Sequence, residues 1–197
     1  MLTPQQRVEV EFWRRCFQDE EEGSTVRWMA RRESDYRAVE AWFQPAISSQ
    51  KGLGLDLGCG LTSTLGFRET PIIAVDPLLA EYDKIYLDCR GWIVYCQGSG
   101  ESLSFDDQML DYVWCINVID HTPNPERMAS EIFRVLKPGG VLYFSVNFDS
   151  ALYSPHYQLW RRDTVDRMLG AFKMLEATER WHAGFNKYIF SGIYARV

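Results

Sequence analysis

No apolar run in this 197-residue chain reaches the ~18–20 residues that a membrane-spanning helix needs, and no membrane partner is expected. The opening residues, Met1-Leu2-Thr3-Pro4-Gln5-Gln6-Arg7, lack the apolar stretch of a secretory signal. A cytoplasmic protein is the expectation. A basic excess is missing too: 21 Lys and Arg stand against 27 Asp and Glu, for a net charge of -6. Nucleic-acid binders draw much of their affinity from basic contacts to phosphate, so DNA or RNA is not an expected partner. Cys16, Cys59, Cys89, Cys96 and Cys115 are odd in number and include no CxxC pair, which argues against a disulfide framework. No His clusters beside a Cys as a zinc set would, and no metal site is expected. Reduced thiols acting as small apolar residues are the plain reading. Internal repeats and low-complexity linkers are also absent. The oligomeric state leaves no mark that can be read here.

What is present suits a soluble α/β protein, with 46% apolar residues available for a core. The length favours a single domain, divided as a helical cap over 1–50 and a core over 51–197. Residues 1–45 read as helical. Thr3 is a good N-cap, Pro4 fits the first helical position, and Gln6 stands where a capping box places it. Val8, Phe12 and Cys16, then Trp13 and Phe17, follow helical spacing. The run Asp19-Glu20-Glu21-Glu22-Gly23 ends that helix. A second helix carries Trp28, Tyr36, Val39, Trp42 and Phe43, and Pro45 closes it.

From Lys51 short apolar runs alternate with helical segments, the pattern of βαβ units around a parallel sheet. Strands are expected at Gly52–Leu57, Ile72–Asp76, Trp92–Cys96, Leu110–Asn117 and Val141–Asn147. Helices are expected at Thr62–Phe67, Leu78–Leu87, Pro125–Leu136 and Arg161–Leu169. Lys137-Pro138-Gly139-Gly140 reads as the turn between helix and strand. Two β-rich runs close the chain, Phe172–Arg180 and Lys187–Val197, linked only by Gly184-Phe185-Asn186. So short a link makes them antiparallel, because a parallel return needs a crossover of about a dozen residues.

The segment Leu53-Gly54-Leu55-Asp56-Leu57-Gly58-Cys59-Gly60 carries the chemistry. An apolar strand runs into a glycine turn where the backbone can lie against a ligand. The N–H groups of a helix starting just beyond would suit a carboxylate, and Asp56 would suit an ammonium. The next strand ends in Asp76, where a carboxylate can accept hydrogen bonds from both hydroxyls of a ribose. These features describe a site for a nucleoside with free ribose hydroxyls. By themselves they fit NAD and S-adenosylmethionine alike.

The order of the motifs resembles class I S-adenosylmethionine-dependent methyltransferases. Leu55-Asp56-Leu57-Gly58-Cys59-Gly60 is similar to their D-x-G-x-G loop rather than to the G-x-G-x-x-G/A of dehydrogenases. Val75-Asp76-Pro77 resembles the acidic second motif, and Gln97–Phe105 the segment after strand three, usually G-D-A-E-x-L-P-F. Asp111–His121 looks like strand four and its exit, and Glu131–Gly140 like the approach to strand five. The resemblance covers residues 51–197. It implies a Rossmann-like seven-stranded, mostly parallel sheet, in the order 3-2-1-4-5-7-6 with the last strand antiparallel. Helices would cover both faces, beside an N-terminal helical extension.

The resemblance also implies S-adenosylmethionine as cofactor and gives roles by position. Gly58 and Gly60 would pass beneath its methionine part, with Asp56 near the amino group. Asp76 would hold the ribose, Pro77 and Leu78 flank the adenine, and Ser99 and Gly100 border it. Asn117 would approach the sulfonium region. Two departures bear on cofactor affinity. Leu61-Thr62-Ser63 follows Gly60 where the family often has a third small residue, and Ser99 replaces an Asp.

Methyl transfer from a sulfonium is an in-line displacement, so the protein mainly aligns the groups and excludes water. A base helps where the acceptor must lose a proton. His121, after the fourth strand, and His156, after the fifth, are the candidates; Asp120 and Tyr153 are their neighbours. A loop hydrogen bond or cofactor contact is the plainer reading of His121, and a surface position that of His156. Trp13, Phe17, Arg27, Trp28 and Tyr36 lie in the segment that often covers the acceptor site in similar enzymes. No [N/D]-P-P-[Y/F] follows the fourth strand, which demotes DNA-base amino groups. A small-molecule or glycan acceptor is favoured. A protein methyltransferase, a cofactor-binding protein without catalysis, and a nicotinamide-dependent reductase are the alternatives.

Overall fold

The computed structural model describes residues 2–18, 41–61, 63, 65, 70–84, 93–148, 159–182 and 187–197. Its frame is one seven-stranded sheet. In chain order the elements are α1 (Pro4–Gln18), α2 (41–49), β1 (Gly54–Leu57), β2 (Ile72–Asp76), α3 (Leu79–Tyr82), β3 (Ile93–Gln97), β4 (Leu110–Ile116), α4 (Pro125–Val135), β5 (Leu136–Phe148), α5 (Arg162–Met168), β6 (Phe172–His182) and β7 (Lys187–Arg196). The spatial order is β3-β2-β1-β4-β5-β7-β6, as the resemblance implied. β1 to β5 pair in parallel, and β7 runs antiparallel to both β5 and β6.

Alternation along each strand divides the core between the two faces of the sheet. Leu55, Leu57, Val113, Cys115, Leu142, Phe144, Phe190 and Tyr194 pack on the face covered by α4 and α5. Ile72, Ala74, Tyr112, Trp114, Tyr143, Ile189 and Ile193 pack on the other, with Phe43 and Ile47 of α2. Phe43 meets Trp114 edge-on, with ring centroids 5.1 Å apart.

Two helix starts are fixed by side-chain caps, the first of them as expected. Thr3 Oγ1 accepts from Gln6 N at 3.2 Å while Thr3 N donates to Gln6 Oε1 at 2.9 Å, a reciprocal capping box. Asn124 caps α4 by accepting from Arg127 N at 3.1 Å, with Pro125 in the first turn.

Other expectations are corrected. Pro45 does not end α2, which continues to residue 49. Complete burial of Phe43 and Ile47 on either side of it outweighs the cost of a helical proline. Lys137–Gly140 is not a turn ahead of the fifth strand. β5 begins at Leu136, opposite Leu110, and resumes at Val141, opposite Tyr112, so the four residues between bulge from the ladder. On α1, Val8 and Phe12 are exposed, and the packed side is Val10 and Trp13. The segments 62, 64 and 66–69, 85–92 and 183–186 lie outside the described residues. So do the acidic run after α1 and the helical residues Trp28, Tyr36 and Val39.

Arg134 ties α4 to the segment that follows β3. Its two terminal nitrogens donate to Phe105 O at 2.7 Å, Asp107 Oδ1 at 2.8 Å, Leu103 O at 2.9 Å and Glu131 Oε2 at 2.9 Å. Replacing Arg134 by Met keeps the aliphatic stem and removes every one of these bonds. A loss of about 2–3 kcal/mol is expected in urea denaturation, since hydrogen bonds to charged groups contribute roughly 1.5–3 kcal/mol and these share exposed partners. An unchanged midpoint would show that the segment is held by its apolar side chains alone.

Candidate functional site

The strand order reverses between β1 and β4, and open α/β sheets bind ligands at the carboxyl ends beside such a reversal. β1 ends there in Gly58-Cys59-Gly60. Gly58 N and Cys59 N both donate to Val75 O, at 2.7 and 3.3 Å, which lashes the loop to the end of β2. Both glycines have positive φ, +70° at Gly58 and +63° at Gly60, a conformation that a Cβ disfavours. Their surroundings differ. A Cβ on Gly58 would stand 2.3 Å from Val118 Cγ1, whereas one on Gly60 would meet nothing within 4 Å among the described residues. Gly58 lets two strand ends approach; Gly60 has no such neighbour among the described residues.

Asp76 lies against the same loop. Its Oδ2 accepts from Gly60 N at 3.0 Å and its Oδ1 from Leu78 N at 2.8 Å. Only 7% of the residue is exposed. Burial pushes the carboxyl up from 3.8 to about 6, partly opposed by the two backbone donors. The carboxylate therefore faces the glycine turn. Pro77 is exposed and Leu78 buried beside it.

Asp56 has a different setting from Asp76. It is buried, and its Oδ2 accepts from Ser63 Oγ at 2.5 Å. Ser63 Oγ in turn accepts from Leu65 N at 3.2 Å, and Ser63 N donates to Tyr95 OH at 3.1 Å. Asp56 thus braces the segment that leaves the glycine loop. The departure at Thr62 lies outside the described residues.

Ser99 and Gly100 form a turn beyond β3. Ser99 O accepts from Ser102 N at 3.1 Å and its Oγ accepts from Glu101 N at 3.3 Å. Glu101 Oε1 accepts from Thr122 Oγ1 and Asn124 N, which pins this turn to the start of α4. Gly100 is buried where a Cβ would press on Met128, so its smallness has a reason within the fold itself. Asn117 follows β4 with φ +56°. Its N–H reaches Ser145 O at 2.8 Å, and its Oδ1 accepts from Asn147 Nδ2.

His121 ends a 3-10 turn, Ile119–His121, just past Asn117. Its Nδ1 lies 3.6 Å from Glu9 Oε2 and its Nε2 3.9 Å from Asp120 Oδ1. Glu9 is a residue that sequence reasoning missed. It belongs to α1, where it also accepts from Trp13 Nε1 at 2.8 Å across one helical turn. Val10 and Trp13 of α1 cluster with Leu61, Leu78 and Tyr82, which immediately follow the glycine loop and Asp76. The N-terminal helix therefore packs over the segments that follow the glycine loop and Asp76. The spacing of Glu9 and Trp13 was the available signal; their partner 112 residues away was not. His156 and Tyr153, with Arg27, Trp28 and Tyr36, lie outside the described residues, as does the side chain of Phe17.

Comparison with known proteins agrees with this geometry. A family model described as a methyltransferase domain matches residues 55–144. A sterol 24-C-methyltransferase of Yarrowia lipolytica is 30% identical over 128 residues, 60% of this chain and 32% of the relative. A ubiquinone biosynthesis O-methyltransferase of Coxiella burnetii is 32% identical over 110 residues, 51% of this chain and 47% of the relative. The chain thus spans about half or less of the length of these relatives. Among solved structures, a Burkholderia thailandensis 1,6-didemethyltoxoflavin-N1-methyltransferase with bound S-adenosylhomocysteine overlays with a TM-score of 0.69 at 14% identity, covering 100% of this chain and 92% of that one. The motif order, the strand order and the matched domain agree with one another: over residues 55–144 the chain is similar to a methyltransferase domain, and its fold is that of S-adenosylmethionine-dependent methyltransferases.

Proposed function

We propose that the chain binds S-adenosylmethionine between the Gly58–Gly60 turn and Asp76, and that it methylates a small-molecule or glycan acceptor. The observation that carries this reading is the bare position at Gly60 next to a buried carboxylate. A ligand can lie against that backbone, and Asp76 can grip its ribose hydroxyls. When bound, the cofactor supplies a methyl group on a sulfonium that is already a good leaving group. Asp76 and the Ser99–Gly100 turn would hold the adenosine half, and Asn117 and Asp56 would flank the methionine half. Val10 and Trp13 would keep water from the adenosyl end. His121, with Glu9 beside one ring nitrogen, would take a proton from an acceptor hydroxyl or ammonium. The names of the relatives support a small acceptor: a sterol 24-C-methyltransferase, a ubiquinone biosynthesis O-methyltransferase and, in fold, a 1,6-didemethyltoxoflavin-N1-methyltransferase.

Titration calorimetry with S-adenosylmethionine, S-adenosylhomocysteine and NAD tests the binding half. Tight binding of the first two and none of NAD is expected; the reverse overturns the reading. Transfer of a labelled methyl group to a panel of phenols, amines, sterols and glycans tests the chemical half. Binding without transfer to any class would favour the alternative of a cofactor-binding protein. His121→Ala is expected to lower kcat about 100-fold, the usual contribution of a positioned base, with cofactor affinity held within about threefold. An unchanged kcat would assign His121 to contact with α1 alone.

A further inference from the structure

We propose that β6 is a self-recognition edge, through which two copies of this chain pair antiparallel about a two-fold axis at Thr178. β6 is the last strand of the sheet, 11 residues long, and among the described residues no strand lies beyond it. Its pairing with β7 runs without a break from Glu176 to His182, and a bulge at Leu175 interrupts it before that. Such an edge offers a row of backbone donors and acceptors to another strand. Apolar side chains stand in solvent on both sides of Thr178, Leu175 in the bulge at 53% and Trp181 at 52% exposure.

A second copy is the occupant that the sequence of the edge selects. In an antiparallel ladder, paired residues both turn their N–H and C=O toward each other. On β6 the groups facing away from β7 recur at every second residue. The two-fold axis must therefore pass through a residue, not between two. An axis through Glu176, Glu179 or Arg180 sets that charge against its own copy. An axis through Ala177 places Glu179 beside Leu175. An axis through Thr178 pairs Glu176 of each copy with Arg180 of the other, twice over. The same register brings Leu175 level with Trp181. Opposite charges facing across strands stabilise a ladder, and like charges weaken it. The contact is isologous, so it closes at two copies and uses up the β6 edge of each.

Sedimentation equilibrium of the whole chain tests the proposal. Wild type is expected to be a dimer at micromolar concentration. Glu176→Arg and Arg180→Glu should each raise the dissociation constant at least tenfold, since each sets like charges opposite. The double variant should dimerise again. Mixing the two single variants one to one should give a heterodimer, because the register then sets opposite charges together. Thermal denaturation of each variant checks that the fold persists, and the rescue and mixing results stand even where one single variant is destabilised. A wild-type monomer throughout, or a dimer indifferent to the single reversals, overturns the assignment.

Discussion

Asp76→Ala is expected to reduce affinity for S-adenosylhomocysteine by 100-fold or more in calorimetry. A carboxylate accepting from two ribose hydroxyls makes charge-assisted bonds of roughly 1.5–3 kcal/mol each. The same substitution leaves Gly60 N and Leu78 N without their acceptor, which loosens the glycine turn as well. Asp76→Asn separates these effects. Its oxygen can still accept from Leu78 N, while its amide nitrogen would face the Gly60 N–H donor. An intermediate affinity is expected, and wild-type affinity in either variant would remove Asp76 from the site.

The raised pKa of Asp76 gives a second readout with a definite sign. The carboxyl titrates near 3.8 when unfolded and at about 6 when folded. Its contribution to stability is therefore fully present below pH 3.8 and is lost as pH rises through about 6. By linkage the difference is about 3 kcal/mol. In the proposed site the ionised form accepts from the ribose hydroxyls, so cofactor affinity is expected to rise over the same interval in which this contribution falls. Unfolding free energies of wild type and Asp76→Asn, compared between pH 5 and 7.5, should diverge in favour of the variant at the higher pH. Parallel curves would contradict the assignment.

The two glycines of the turn should fail in different ways. Gly58→Ala places a methyl into the branched, stiff side chain of Val118 and keeps a positive φ. Overpacking of about 1–3 kcal/mol and a left-handed backbone of about 1–2 kcal/mol add to a loss of about 2–5 kcal/mol. Gly60→Ala carries only the backbone cost, about 1–2 kcal/mol, and the variant should fold. Its methyl, however, projects into the space the ligand needs, so cofactor binding should fall at least 30-fold. Chemical denaturation and calorimetry on the two variants would check this. Normal binding by Gly60→Ala would show that the ligand lies elsewhere.

What could be read from the residues was local or tied to spacing. The Thr3–Gln6 capping box, the strand ending in Asp76 and the antiparallel tail each follow from a few neighbouring residues. Pro45 misled because its cost is local, while the burial of Phe43 and Ile47 that overrides it comes from the sheet. The start of β5 was hidden for a related reason: Leu136 joins the ladder only because Leu110 is there to pair with it. In the site, the glycines and Asp76 were legible by chemistry. The link between His121 and Glu9 was not, since it joins a turn after β4 to a helix that spacing alone cannot orient. Gly100 was read toward the adenine, yet its contact with Met128 already accounts for a missing side chain.

The bulge at Lys137–Gly140 offers a practical handle. Both of its flanks, Leu136 and Val141, are clamped in register with β4, and Pro138 and Gly139 are exposed between them. It sits where β5 begins, at the opposite end of the sheet from the Gly58–Gly60 turn. A peptide tag or fluorescent reporter spliced between Pro138 and Gly139 would thus be anchored on both sides and remote from the reacting groups. Labelled protein could then be followed through ligand screening with its crevice undisturbed.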